Sequence, residues 1–275
     1  MITITGTYRL LIFGVCFLLL LCACGPPRNQ QATPGAAKQL LKLRGYEFDE
    51  KSFLRAAAAS DVIAVNTFFA AGINPNAKDE SSGATALIAA ASRGDMPIVQ
   101  ELLKGNANVN ERDSAQFTAL LRALQNKHSE VAEILLARTD VDLNAQGSNG
   151  MTALVHYVTR NQDKTVQNLL DRGANANLSD DEGDAALHIA AQRGNLNIVQ
   201  MLLANGADPN AKNKLGGTPL MWAAVYGHED VAKALLEKGA DPKLKDADGV
   251  TAADWAKKNQ RDDMAQLLLD AEKAK

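Results

Sequence analysis

Beyond residue 24 the 275-residue chain has no cysteine; its three are Cys16, Cys22 and Cys24. That excludes a disulfide-stapled fold and a cysteine-ligated metal site from the body of the protein. Aromatic residues are few, 7 Phe, 4 Tyr and 2 Trp, so a core here relies on closely packed Ala and Leu. A basic excess is missing too. The net charge is −3, and without residues 1–23, whose one charge is Arg9, 28 basic residues face 32 acidic ones. A general nucleic-acid binder usually carries the opposite balance. Glycine-rich phosphate loops, His-Glu-x-x-His, Gly-x-Ser-x-Gly and Ser-x-x-Lys strings are absent. The enzyme class therefore ranks last, with no cofactor and no small-molecule substrate expected.

What is present begins with Leu10–Ala23, an unbroken apolar and small-residue run behind Arg9. It is short for a membrane span, which needs about 20 residues, and suits the apolar region of a signal peptide. Its end, Leu21-Cys22-Ala23-Cys24, resembles the bacterial lipobox. The resemblance implies that residues 1–23 are removed and that Cys24 is lipidated. Gly25, rather than Asp, follows, which implies sorting to the outer membrane. The alternatives are an ordinary signal peptide cut nearby and an uncleaved anchor. Residues 24–37 then read as a flexible Pro-, Gly- and Gln-rich tether.

From residue 38 to 275 one text repeats. Phe53, Leu87, Leu120, Leu154, Leu187, Leu220 and Ala253 recur at steps of 33 or 34 residues. Thr-Ala-Leu or Thr-Pro-Leu surrounds most of them. A paired apolar position follows, from Phe68-Phe69 to Leu268-Leu269, and then Gly206-Ala-Asp-Pro-Asn210 or a variant. Seven units at one period resemble the ankyrin repeat, and Gly216–Pro242 lies near that family's consensus. The resemblance implies an all-α solenoid in which each unit is a helix, a turn, a second helix and a hairpin loop. Ala90-Ala91, Ala190-Ala191 and Ala223-Ala224 remove bulk where neighbouring units approach. Gly173, Gly206 and Gly239, with Asn106 in the second unit, end second helices in the left-handed conformation.

Both ends read as caps. Asp49 is an expected N-cap, with Phe48 and Phe53 as a hydrophobic staple. Ala37–Arg44 is amphipathic and suited to covering the first unit, while Asp254 and residues 270–275 make a solvent-facing end. The fourth unit departs most from the pattern. Tyr157-Val158 replace the alanine pair and Asn161 replaces the turn glycine, so the weakest interface is expected there.

The four histidines fall on repeat positions in different units, which argues against a shared metal or catalytic site. Asp180–Asp184 and Asp246–Gly249 suggest calcium, but Leu244 and Trp255 stand where a helix–loop–helix calcium loop needs acids. Arg93-Gly94-Asp95 is better read as an inter-helix turn than as an adhesion motif. In ankyrin proteins partners touch the hairpin tips and the concave face of the first helices. By that resemblance, Phe117 and Met151 are apolar candidates on adjacent tips. Arg93, Arg160 and Arg193, with Arg122 beside them, form a basic stripe suited to a carboxylate-bearing partner. Tyr226 occupies the same position as the stripe, and Trp222 and Trp255 read as packing residues. The expectation is a non-catalytic protein-binding scaffold, lipid-anchored in a bacterial envelope and facing the periplasm. The runner-up is a periplasmic immunity factor that occludes a toxin or stress enzyme.

Overall fold

A computed structural model describes residues 33–274. The expected signal segment and Cys24 lie outside them. Among the described residues there are fifteen helices and no strand. The first, α1 (Pro34–Leu43), begins inside the stretch read above as tether. The correction has a local cause. Pro34 fits the first helical turn, where its missing N–H costs nothing, and Thr33 Oγ1 accepts the Ala36 N–H. Ala37 and Leu41 are then buried against α3.

Seven helix pairs follow, one per repeat. They are α2 (Glu50–Ala58) with α3 (Val62–Ala71), α4 (Ala86–Arg93) with α5 (Met96–Lys104), and α6 (Ala119–Gln125) with α7 (Ser129–Leu136). Then come α8 (Ala153–Thr159) with α9 (Asp163–Asp171) and α10 (Ala186–Arg193) with α11 (Leu196–Ala204). The last are α12 (Pro219–Tyr226) with α13 (Glu229–Glu237), and α14 (Ala252–Lys258) with α15 (Asp262–Ala274). First helices pack on neighbouring first helices, and one continuous core runs from Ala37 to Leu268.

The repeated threonine starts each first helix for a hydrogen-bonding reason. Thr85, Thr118, Thr152, Thr218 and Thr251 accept the N–H three residues on, at 3.2–3.4 Å. Repeat 5 has Ala185 there, and His188 takes over. Its Nδ1 accepts the Ala185 N–H at 3.1 Å, and its Nε2–H reaches Ala211 O at 3.0 Å. Burial pushes the His188 pKa down, so the neutral ring that this network needs is favoured.

At the N-terminal end, Asp49 caps α2 through Ser52 N. Phe48 and Phe53 meet through Phe68, each within 6.3 Å of its ring centre. The fourth repeat is the loose one. Of the successive first helices, α6 and α8 approach each other least. Tyr157 and Val158 fill the gap, and both are buried.

Two ladders tie the loops together. Asn76, Asn110, Asn144, Asn177 and Asn210 each accept, through Oδ1, a backbone N–H of the next loop at 2.7–2.8 Å. At the hairpin tips Ser114, Ser148, Asp181, Lys214 and Ala247 each donate N–H to a carbonyl of the preceding tip, at 2.9–3.1 Å. These bonds satisfy loop backbone that helices leave unpaired, and they make the row of tips a continuous surface.

Candidate binding surface

The tips and first-helix ends named above are held by the Thr caps and ladders, so each side chain's fate can be read directly. Phe117 is not a free tip residue: it is 6% exposed. Its ring enters the hairpin of repeat 4, where Gly147 replaces the Asp or Asn of other hairpins and an added Cβ would overlap it. Leu121 and Ala145 pack on it. The Arg122 guanidinium lies over it, 4.2 Å from the ring centre. Arg122 in turn donates Nε–H to Asp113 at 2.7 Å, and Asp113 accepts the Ala115 and Phe117 N–H groups. Phe117 and Arg122 therefore build the tip of repeat 3 rather than present a contact. Gly147 was the available sequence signal. Met151 is half-buried against the main core.

The arginines do not act as one stripe. Arg93 donates to Ala57 O, at the end of α2, at 3.1 Å and lies 3.9 Å from Asp95. A cation at a helix C-terminus is favoured without any partner. Asn126 does the same for Ser92 O at 2.7 Å. Arg160 caps α8 at the seam with repeat 3, in a crevice of about 30 Å³ that Leu124, Glu133 and Tyr157 also line. Burial and the Glu133 charge push the Tyr157 pKa up to about 12. Arg193 is exposed at the end of α10.

Tyr226 is 45% exposed yet held in place. Its ring stacks on Trp222, 6.2 Å between centres, and on His228, and its hydroxyl accepts Gln192 Nε2–H at 3.3 Å. Trp222 and Trp255 are half-buried against the core, as read from sequence. Trp255 donates Nε1–H to Asp246 at 2.7 Å. One exposed tip residue escaped the sequence reading. Leu215, 71% exposed, sits on the hairpin of repeat 6.

The sequences that invited other chemistry have structural work. Asp180 Oδ1 accepts the Glu182 and Asp184 N–H groups, and Asp246 Oδ1 those of Asp248 and Val250, each closing a hairpin. Gly94 ends α4 and Asp95 caps α5 through Ile98 N. Among the described residues no cluster of His, Cys, Asp or Glu has a metal-binding arrangement.

Comparison with known proteins agrees with this architecture. The family described as "Ankyrin repeats (3 copies)" matches residues 53–147, 138–213 and 208–275 in succession. The chain belongs to the ankyrin-repeat family, whose members are generally protein-interaction scaffolds. It is 33% identical over 155 residues to an ankyrin repeat-containing protein of Treponema pallidum (strain Nichols), covering 56% of this chain and 51% of that protein. It is 31% identical over 127 residues to mouse Rabankyrin-5, covering 46% of this chain and 11% of that protein. To human transient receptor potential cation channel subfamily A member 1 it is 34% identical over 113 residues, 41% of this chain and 10% of that protein. The chain thus spans about half the length of the Treponema protein and a tenth of the others.

Proposed function

We propose that this protein is a non-catalytic scaffold, lipid-anchored through Cys24 in a bacterial envelope, that captures another protein on the first-helix face and tips of repeats 5 and 6. The observation carrying the binding part is Tyr226. An exposed aromatic side chain is immobilised by Trp222, His228 and Gln192 on the surface of an otherwise tightly closed core. Large ordered aromatics give contact area at little entropic cost, and Tyr, Trp and Arg dominate binding hot spots. Arg193 and Leu215 stand in the same two repeats and supply a cation and an apolar tip. The anchoring part is supported by the lipobox-like Leu21-Cys22-Ala23-Cys24 and the signal-like run before it.

A photo-activatable amino acid at position 226 in the native cells tests the first part. One dominant cross-linked protein is expected, lost when Arg193→Ala and Leu215→Ala are added. Adducts spread over abundant envelope proteins would remove this face from the site. Labelling with radioactive palmitate tests the second. Incorporation is expected in the wild type and absent in Cys24→Ser; equal labelling of both would place the lipid elsewhere.

A further inference from the structure

We infer that the outer face of α1 is a second, weaker membrane contact that lies on an anionic lipid surface; this inference rests on the Cys24 anchor. Helix α1 completes the core with Ala37 and Leu41, yet it leaves Leu40 at 45% and Leu43 at 85% exposure. Ile63 on α3 adds another 60% exposed side chain. Arg44 and Asp61 join the two helices at 2.8 Å. Leu43, adjacent to Arg44, and Ile63, two residues past Asp61, therefore sit at the same end of the pair. Three of the five large apolar side chains most exposed among the described residues are on this helix pair.

The charge there runs against the rest of the molecule. Residues 33–44 contain Lys38, Lys42 and Arg44 and no acid, in a chain of net charge −3. Lys38 also lies over the Phe48 ring at 4.2 Å, and Arg44 is paired with Asp61, which leaves Lys42 the most available. Leucines flanked by lysines on a helix face suit the headgroup boundary of an acidic bilayer. Position matters as much as chemistry. Eight residues separate Cys24 from Thr33, nine steps of at most about 3.5 Å each, so the start of α1 is confined within roughly 30 Å of the anchored acyl chains. Confinement raises the effective lipid concentration, so a weak contact suffices. A second copy of α1 would oppose like charges, and Arg28 makes residues 25–32 basic as well.

The test uses the full chain carrying its own lipid, with an environment-sensitive fluorophore on Leu43→Cys or, at the far end, Leu215→Cys. Vesicles are an equimolar mixture of phosphatidylglycerol and phosphatidylcholine, or phosphatidylcholine alone. The expected result is a several-fold rise in emission at position 43 only on the anionic vesicles, quenched by spin-labelled lipid. Lys38→Glu with Lys42→Glu should abolish it, since each basic residue contributes about fivefold to such an equilibrium at low salt. Protein that floats with the vesicles while position 43 stays as wet as position 215 overturns the contact and keeps the anchor. Protein that does not float overturns both. Emission that rises with protein concentration and no lipid would mean that a second copy covers the face instead.

Discussion

The junction between repeats 5 and 6 and the junction between repeats 3 and 4 solve one problem in two ways. At the first, α10 brings Ala190-Ala191 against α12 with Ala223-Ala224, all fully buried, and the helices close up. Gly194 ends α10, and the His228 ring of the next repeat occupies the space its Cβ would need. Nε2–H of that ring donates to Gln192 O at 3.1 Å. Gly94 and His128, with Ser92 O, form the same lock between repeats 2 and 3. At the 3–4 junction the turn residue is Lys127, left-handed at φ 64° without being glycine, and Gln162 stands where the histidine would be. Turn glycine and following histidine thus form one device spanning two repeats: the ring needs the missing Cβ, and the carbonyl it bonds is exposed by the same turn. At this junction the helices stand apart and Tyr157 fills the space. Between repeats 6 and 7, by contrast, the Arg261 side chain lies over Gly227 in place of the histidine and the helices still close up.

Leu187→Ala cuts the core beside the tight junction, where close-packed alanines leave little room to relax. It should lower stability by about 2–5 kcal/mol, read from urea and thermal unfolding. Leu154→Ala removes an equally buried side chain beside the loose junction and should fall at the lower end of that range, because its surroundings collapse more readily. Equal losses would mean that spacing between helices does not report packing quality.

Gly194→Ala attacks the lock itself. The new Cβ would stand 2.5 Å from His228 Nδ1 on a backbone at φ +69°. Left-handed strain and the displaced hydrogen bond together should cost about 2–3 kcal/mol. Gly173→Ala, at φ +88° with nothing near, should cost only the backbone part, about 1 kcal/mol. The gap between the two variants measures the histidine's seat. No gap would dismiss the lock.

The period, the caps and the alanine pairs were legible in sequence because each depends on neighbours within one unit or on the same position one unit away. The loose junction was legible for that reason: Tyr157-Val158 breaks a visible rule. Phe117 was misread because its direction is set by Gly147, in another hairpin, and only the substitution of glycine for Asp or Asn marks the space. The start of α1 was misread because Pro34-Gly35 weighs as linker composition. Ala37 and Leu41 buried on α3, a tertiary contact, outweigh the roughly 1 kcal/mol that a helical glycine costs. The five asparagines of the loop ladder were seen as part of a motif, but a sequence does not show that they reach across to the next loop.

The comparison can also be run in reverse. Gln162 already has the backbone of His128 and His228, with φ −94° and ψ 71° against −86° with 73° and −86° with 80°. Lys127→Gly with Gln162→His should rebuild the lock, the ring seated over residue 127 and bonding Gln125 O. A gain of about 1–2 kcal/mol is expected, larger than the sum of the single changes, since each is idle without the other. Strict additivity would mean that glycine and histidine act separately.

The smallest effect expected lies on α8, beside Tyr157. His156 Nε2 is buried without a hydrogen-bond partner, and repeat 5 carries Ile189 at the same position. Burial, with the Arg160 charge adding to it, pushes the His156 pKa down to about 4 from an ordinary 6.5. Between those values the unfolded chain binds more protons than the folded one, so through this ring the protein loses stability as pH falls from 6.5 toward 4. His156→Leu should therefore stabilise the protein by about 1 kcal/mol at neutral pH and flatten the stability profile across that window. His188, also depressed, keeps part of the slope. The carboxylates with lowered values, Asp61 and Asp254 among them, begin to lose their contribution only below about pH 5, so the step from pH 7 to 5.5 belongs to the histidines. Urea midpoints of wild type and variant at pH 7, 5.5 and 4.5 separate the two groups. Parallel profiles would mean that the His156 ring meets water in the folded state.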